Sequence, residues 1–414
     1  MMQRGHTVFH YGHEDSQVEC TEHISVTNNA VLEDCYGIYD WKSEAFKHSV
    51  DDKAHRHFNQ RASEEIAKRK RPLDILLLFW SIGHHQVAQD HKDLIVVEPG
   101  IGSYNNVVAP FSIFESYAVM HYIYGKYNIE PRWFDAVIPI AFDPEAFVDA
   151  SDAGQVRDTK VKRLIESHQY LEQELVDPNA LVCADYGPSK LRNSDAIQKI
   201  LQLPKDEYVV VIGRVIACKG IQIAADACKL VNKVLVIAGQ GSLKDILKPS
   251  DQRRIINASK HTLIPGPLSN DSIVHIGYIE PFERAVLLAN CKCLMMPTHY
   301  AEPFGMTHLE AQMSGIPVVT SDWGAFSETV DHGTTGFRCR TMEHFTWALR
   351  HVDTLDRKLI RKRAHETYGF SKIGCMLEEY FAMISSAYQG TKMGYYALND
   401  SRTELDWLSK PKAN

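Results

Sequence analysis

The order of residues predicts an α/β protein built on parallel sheets and divided into two domains. Three observations carry this. Asp74-Ile75-Leu76-Leu77-Leu78-Phe79-Trp80, Leu94-Ile95-Val96-Val97 and Val209-Val210-Val211-Ile212 are continuous apolar runs, as expected of strands buried on both faces. From 208 to about 350 apolar runs alternate with helical patterns, the sequence form of a parallel sheet with helices on both faces. A length of 414 residues is enough for two such domains.

The elements follow in order. In Arg4-Gly5-His6-Thr7-Val8-Phe9 a helix-ending glycine precedes an extended apolar run, so a strand is expected over Thr7–His10. Residues 60–71 are polar and helix-prone and close on Lys68-Arg69-Lys70-Arg71 before Pro72. Cations there suit the carboxyl end of a helix dipole, so the run reads as a solvated helix end, with a nucleic-acid or nuclear signal as the competing reading. Glu98-Pro99-Gly100-Ile101-Gly102 is expected to follow a strand, at the carboxyl end where open α/β sheets place ligands. His84-His85 stands after the preceding strand, and His55-x-His57 has the separation of a metal pair but reads as a helix face. Residues 150–206 are polar and partly helical, as from Lys160 to Val176, and read as an inserted helical element or an enlarged connection. Glu343 to Tyr388 is largely helical by pattern.

Composition narrows the function classes. A net charge of −7 argues against nonspecific attraction to a nucleic-acid backbone. No apolar run approaches the roughly 18 residues needed to cross a bilayer, and the first residues lack the apolar core of a secretory signal. Nine scattered cysteines fit a reduced, cytoplasmic compartment. Cys291-x-Cys293 reads as small buried thiols rather than metal ligands.

The chemistry concentrates in Ala301-Glu302-Pro303-Phe304-Gly305-Met306-Thr307-His308-Leu309-Glu310-Ala311. The spacing predicts Glu302 in a loop at a helix entrance and Glu310 about two turns inside that helix. N–H groups left unpaired at a helix start hold anions such as phosphate. A carboxylate in the loop can accept hydrogen bonds from sugar hydroxyls. Upstream stand Gly213-Arg214 with Lys219-Gly220, at the carboxyl end of a strand, and Ala238-Gly239-Gln240-Gly241. Downstream is Gly315-Ile316-Pro317-Val318-Val319, then Gly324 and Glu328.

With these four blocks in register, residues 208–340 resemble the donor-binding domain of the GT-B glycosyltransferases of family 4, retaining enzymes that use nucleotide sugars. The resemblance implies a GT-B fold, two Rossmann-like domains facing a cleft. It also implies UDP-, GDP- or ADP-sugar as donor substrate, with no other cofactor and no metal. By the same resemblance Arg214 and Lys219 would neutralise the leaving diphosphate, Glu302 would contact the donor sugar and Glu310 the ribose. Gly305, Met306 and Thr307 would supply N–H groups to the diphosphate. Gly213, Gly239 and Gly241 would let the backbone approach the nucleotide, and Gly277-Tyr278-Ile279 would line the base pocket. The leaving phosphate serves as base in such enzymes, so no covalent nucleophile is expected. The His that many members carry in the N-terminal domain is absent at Val97-Glu98-Pro99-Gly100, with Glu98 or His84-His85 as substitutes.

Domains are expected at 1–149 (acceptor side), 150–206 (helical connection), 207–370 (donor side) and 371–414 (helices crossing back to the N-terminal domain, and tail). In the resembling family Gly-His-x-Val follows a first strand, a Gly-rich loop and a helix. Here only Met1, Met2 and Gln3 precede it closely, so the N-terminal sheet is expected to lack its first strand. Ile140-Ala141 stands where the family usually has Asn-Gly. The acceptor stays open among polysaccharide, lipid-linked glycan, protein, small molecule and modified nucleobase. A degenerate scaffold that binds nucleotide sugars and regulates is the alternative to an enzyme. A nucleotide-sugar epimerase is a third reading, without a distinct signature.

Overall fold

The computed structural model describes residues 1–38, 47, 49–102, 107–152, 159–163, 165–166, 195–260 and 263–388. They divide into two compact units. The first comprises Met1–Ile38, Lys47–Phe142 and the chain from Thr367, and the second runs from Asp143 to Glu366.

In the first unit β1 (Phe9–His13) pairs in parallel with β2 (Glu22–Thr27). A separate parallel sheet holds β3 (Ile75–Leu77), β4 (Ile95–Ile101), β5 (Phe111–Phe114) and β6 (Ala136–Val137), in that order. Six strands thus form two sheets, and among the described residues β1 has β2 as its one strand partner. The first strand begins at Phe9 rather than Thr7. Its two faces differ as a period of two requires. Phe9, Tyr11, Ile24 and Val26 pack into a core with Ala62 and Ile66, while on the other face the Nδ1 atoms of His10 and His23 lie 3.0 Å apart.

Helices α1 (Asn29–Tyr36), α2 (Lys53–Arg69), α3 (His85–Asp90) and α4 (Tyr117–Tyr127) accompany these strands. Asn28, Asp52 and Ser116 cap α1, α2 and α4 by accepting the N–H of Val31, His55 and Val119. Each such cap contributes about 1 kcal/mol. At the end of α2, Lys68 and Arg69 both pair with Glu65 at 2.6 Å, and Arg69 reaches Glu22 at 2.8 Å. The basic run is a paired helix end.

Glu98 to Gly100 lie inside β4, not after it. The strand continues because Glu98, 1 % exposed, turns inward and its Oε2 accepts the N–H groups of Val108 (2.8 Å) and Ala109 (3.4 Å). Pro99 has no N–H to donate and Gly100 takes φ +65°, so the register with β5 shifts between Glu98 and Ile101.

The second unit holds one parallel sheet of seven strands. They are β7 (Tyr208–Ile212), β8 (Val234–Ala238), β9 (Ile255–Asn257), β10 (Ile273–Gly277), β11 (Cys293–Met296), β12 (Val318–Ser321) and β13 (Gly336–Cys339). Their order is β13-β12-β11-β7-β8-β10-β9. The helices are α5 (Asp195–Leu201), α6 (Ile221–Leu230), α7 (Pro281–Asn290), α8 (Met306–Met313), α9 (Phe326–Thr329), α10 (Met342–His351) and α11 (Arg357–Tyr368). The apolar run in β7 is divided between two cores: Tyr208, Val210 and Ile212 enter one, Val209 and Val211 the other. Burial on both faces is why the run is continuous, and each buried side chain of this kind contributes about 1.5–3 kcal/mol. Burial pushes the thiols of Cys291 and Cys293 up, that of Cys293 to about 12, so this C-x-C is neutral core. Most of the helix expected from Lys160 to Val176 lies outside the described residues.

The last described helix, α12 (Phe370–Tyr388), belongs to the first unit. Its Ile373, Tyr380, Phe381 and Ile384 pack against Ile95, Val97, Phe111 and Ile113.

Candidate active site

Because all seven strands of the second unit are parallel, their carboxyl ends share one edge, and the loops after β7, β8, β11 and β12 gather there. A single turn of 3-10 helix, Ala217–Lys219, follows β7 and ends on Gly220 at φ +70°. A Cβ at Gly220 would overlap the carbonyl oxygen of Pro297, so only glycine lets this turn lie against the end of β11. The N–H of His299 then donates to the Cys218 carbonyl at 2.8 Å and joins the two loops. On the other side the N–H of Ala325 donates to the Glu302 carbonyl at 2.9 Å, and the Trp323 indole N–H to the Tyr300 carbonyl at 3.0 Å.

Three side chains meet in this frame. The Lys219 ammonium donates to the Tyr300 hydroxyl at 2.6 Å and to Glu302 Oε2 at 3.1 Å. The Tyr300 hydroxyl donates to the same Glu302 oxygen at 2.7 Å. Burial, then the Glu302 carboxylate, push the Tyr300 phenol well above its ordinary range, so it keeps its proton. Arg214, exposed and without an ion-pair partner among the described residues, lies close enough for its charge to act on Tyr300.

Gly305, left-handed at φ +82°, sits at the cap position of α8, and among the described residues no side chain caps this helix. The first-turn N–H groups at Met306 and Thr307 therefore remain for an anion. Met306 is 48 % exposed, and the Thr307 hydroxyl donates to Met296 Sδ at 3.2 Å. Beneath this turn His308 is wholly buried. The Thr329 hydroxyl donates to Ala325, so His308 Nε2 carries the proton donated to Thr329 at 2.7 Å, and Nδ1 is bare. Burial lowers this imidazole to about 3.

Glu310 faces Arg284 of α7, Oε2 to Nε 3.1 Å, and this oxygen has no hydrogen-bond partner of proper geometry. Burial raises the Glu310 carboxyl and Arg284 opposes that rise. Gly213, Gly239 and Gly241 interlock the loops after β7 and β8: Gly213 N–H donates to Ala238 at 2.9 Å and Val215 N–H to Gln240 at 2.8 Å. A Cβ on Gly239 would overlap the Gly213 carbonyl.

Arg214, Lys219, Glu302 and Gly305 thus lie on adjoining loops, with Met306 and Thr307 in the first turn of α8, Gly213, Gly239 and Gly241 beside them and Glu310 deeper in α8. Ile279 differs in placement: its side chain is 7 % exposed and part of the core. In the first unit, Glu98 holds backbone N–H groups. His84 Nδ1 donates to Asn59 Oδ1 at 2.9 Å, and the ring stacks on Phe58 and is lowered by burial to about 4. Sequence reasoning missed Tyr300, Arg284 and Trp323. Tyr300 stands two residues before Glu302 and was within reach of inspection; Arg284 comes from another helix with no local signal.

The fold is of the GT-B class, α/β units built on parallel sheets. Residues 192–363 match the model of the family described as Glycosyl transferases group 1. Glycogen synthase of Mycobacterium tuberculosis (strain CDC 1551 / Oshkosh) is 30% identical over 134 residues, 31% of this chain and 29% of that protein. The match thus spans about a third of either protein. AviGT4, a glycosyltransferase involved in avilamycin A biosynthesis, shares the fold at TM-score 0.56 and 16% identity, over 93% of this chain and 86% of its own. Anabaena HepE in complex with UDP shares it at TM-score 0.52 and 14% identity, over 78% of this chain and 82% of its own. No described helix is long and apolar enough to cross a membrane.

Proposed function

We propose that this chain is a cytoplasmic, retaining glycosyltransferase of family 4 that moves a sugar from a nucleotide-diphosphate sugar to an acceptor without a metal ion. The observation that carries the reading is the pairing of Lys219 with Glu302 beside Arg214, which has no ion-pair partner among the described residues, at the start of α8. As the glycosidic bond breaks, negative charge develops on the leaving diphosphate. Arg214 offers a planar fork and Lys219 a point charge for those oxygens, and the first-turn N–H groups of α8 add fixed dipoles. Glu302 accepts hydrogen bonds from the sugar hydroxyls, and Glu310, with one oxygen lacking a hydrogen bond, accepts from the ribose. The UDP held by the HepE neighbour supports a uridine nucleotide as the first donor to try.

A second reading, a nucleotide-sugar-binding scaffold without turnover, is favoured by one observation. The candidate groups of the first unit, Glu98 and His84, are engaged in structure. A thermal-shift panel of UDP, GDP and ADP, followed by hydrolysis of UDP-glucose with and without EDTA, separates the two. Turnover undiminished by EDTA, with the anomeric configuration kept in the product, supports the enzyme. Binding without turnover supports the scaffold, and strict dependence on Mg²⁺ or an inverted product overturns the mechanism.

A further inference from the structure

We propose that Tyr300 is a positioning residue of the donor site, whose hydroxyl aims the Lys219 ammonium and competes with it for the Glu302 oxygen that both contact. This rests on the transferase reading above. An ammonium has three N–H donors and no acceptor. Tyr300 takes one at 2.6 Å and Glu302 a second at 3.1 Å, so the direction of the third is fixed. The phenol also donates to Glu302 Oε2 at 2.7 Å, a shorter contact than the one Lys219 makes with the same oxygen. Lys219 therefore shares this oxygen, and much of its charge stays available to a diphosphate. Without the hydroxyl, a direct Lys219–Glu302 ion pair would strengthen in this half-buried site and would draw the cation away from the leaving group.

The residue is built to hold that position. Its carbonyl accepts from the Trp323 indole at 3.0 Å and from the Thr298 hydroxyl at 3.4 Å, so the backbone that carries the ring is held. The environment that keeps the phenol protonated guarantees the donor that Glu302 receives. Tyr300 touches no reacting atom in this scheme and acts through Lys219 and Glu302.

The test is a double-mutant cycle on Tyr300→Phe and Lys219→Ala, read by hydrolysis of UDP-, GDP- and ADP-glucose and by calorimetric binding of the matching nucleoside diphosphate. Tyr300→Phe keeps the ring and its packing, and a thermal melt matching the wild type verifies the fold. Its kcat should fall roughly tenfold or more, the scale of a hydrogen bond to a charged group, while diphosphate binding changes less than twofold. In the Lys219→Ala background the same change should cost little further, because its effect passes through Lys219. Tyr300→Gln, which restores a polar group, should recover part of the loss. Equal kcat for Tyr300→Phe and an active wild type, or fully additive losses in the cycle, overturn this assignment alone. A wild type inactive toward all three donors overturns the transferase reading and the assignment that rests on it.

Discussion

Each unit of this protein buries a glutamate beside a parallel strand and a neutral histidine among packed side chains. Glu98 in the first unit gives its oxygen to two backbone N–H groups, and Glu302 in the second gives its oxygen to Lys219 and Tyr300. Backbone donors cannot turn toward a ligand, so Glu98 is spent on the loop it holds. A side-chain cation with a third N–H can bind the protein and a ligand together. The difference teaches that burial of a carboxylate does not identify a site; the identity of its partner does.

Four changes test this difference between the two glutamates and their units. Lys219→Ala should lower kcat and kcat/KM together by about 10²–10³, or 2.7–4 kcal/mol, because the lost cation acts mainly on the transition state. Steady-state hydrolysis of UDP-glucose measures it, and a rise in KM alone would make Lys219 a binding group only.

Acid should cost stability rather than rate. His84 and His308 titrate near 4 and 3 in the folded chain, below the ordinary value of 6.5, so the fold binds fewer protons than the unfolded chain between those values. The stability each contributes is complete above pH 6.5 and is lost as pH falls, by roughly 2–3 kcal/mol each at pH 4.5. Melting from pH 7.5 to 4.5 should show the decline, and His308→Gln should flatten it; an unchanged slope would remove the buried neutral imidazole from the account.

Glu98→Ala should destabilise by about 1–3 kcal/mol, because it strands the N–H groups of Val108 and Ala109, and should leave donor hydrolysis unchanged. Lost hydrolysis with an unchanged melt would reverse the comparison between the two glutamates. The smallest effect is expected from Glu310→Ala. The donor KM should rise by roughly tenfold, about 1.4 kcal/mol, with kcat changed less, since a ribose contact serves ground and transition state alike.

Legibility in the sequence followed the same divide. The seven-stranded sheet was readable because strands buried on both faces print uninterrupted apolar runs such as Val209 to Ile212, and because glycines mark where loops cross closely. In the first unit the strand at Ile75–Leu77 was readable from its apolar run though not its early end, Ala136–Val137 is too short to print a period, and Glu98 interrupts a strand with a charge that only a tertiary contact explains. In the candidate site, charged groups at motif spacing were found. Arg284 was not, since a partner supplied by another helix leaves no trace in local order.

The loop carrying Glu302 is tied on both flanks, to the loop after β7 through His299 and Cys218 and to the loop after β12 through Ala325 and Trp323. Gly324 tightens the second tie: a Cβ there would sit 2.6 Å from the Glu302 nitrogen. A segment sutured in this way has no freedom to lengthen, so an inserted residue would displace Lys219, Tyr300 and Glu302 together. Evolutionary or laboratory change of donor preference in this protein is thereby channelled into side-chain replacement at fixed loop length, with Met306, whose side chain is exposed and whose assigned role is only its backbone N–H, as a position free to vary.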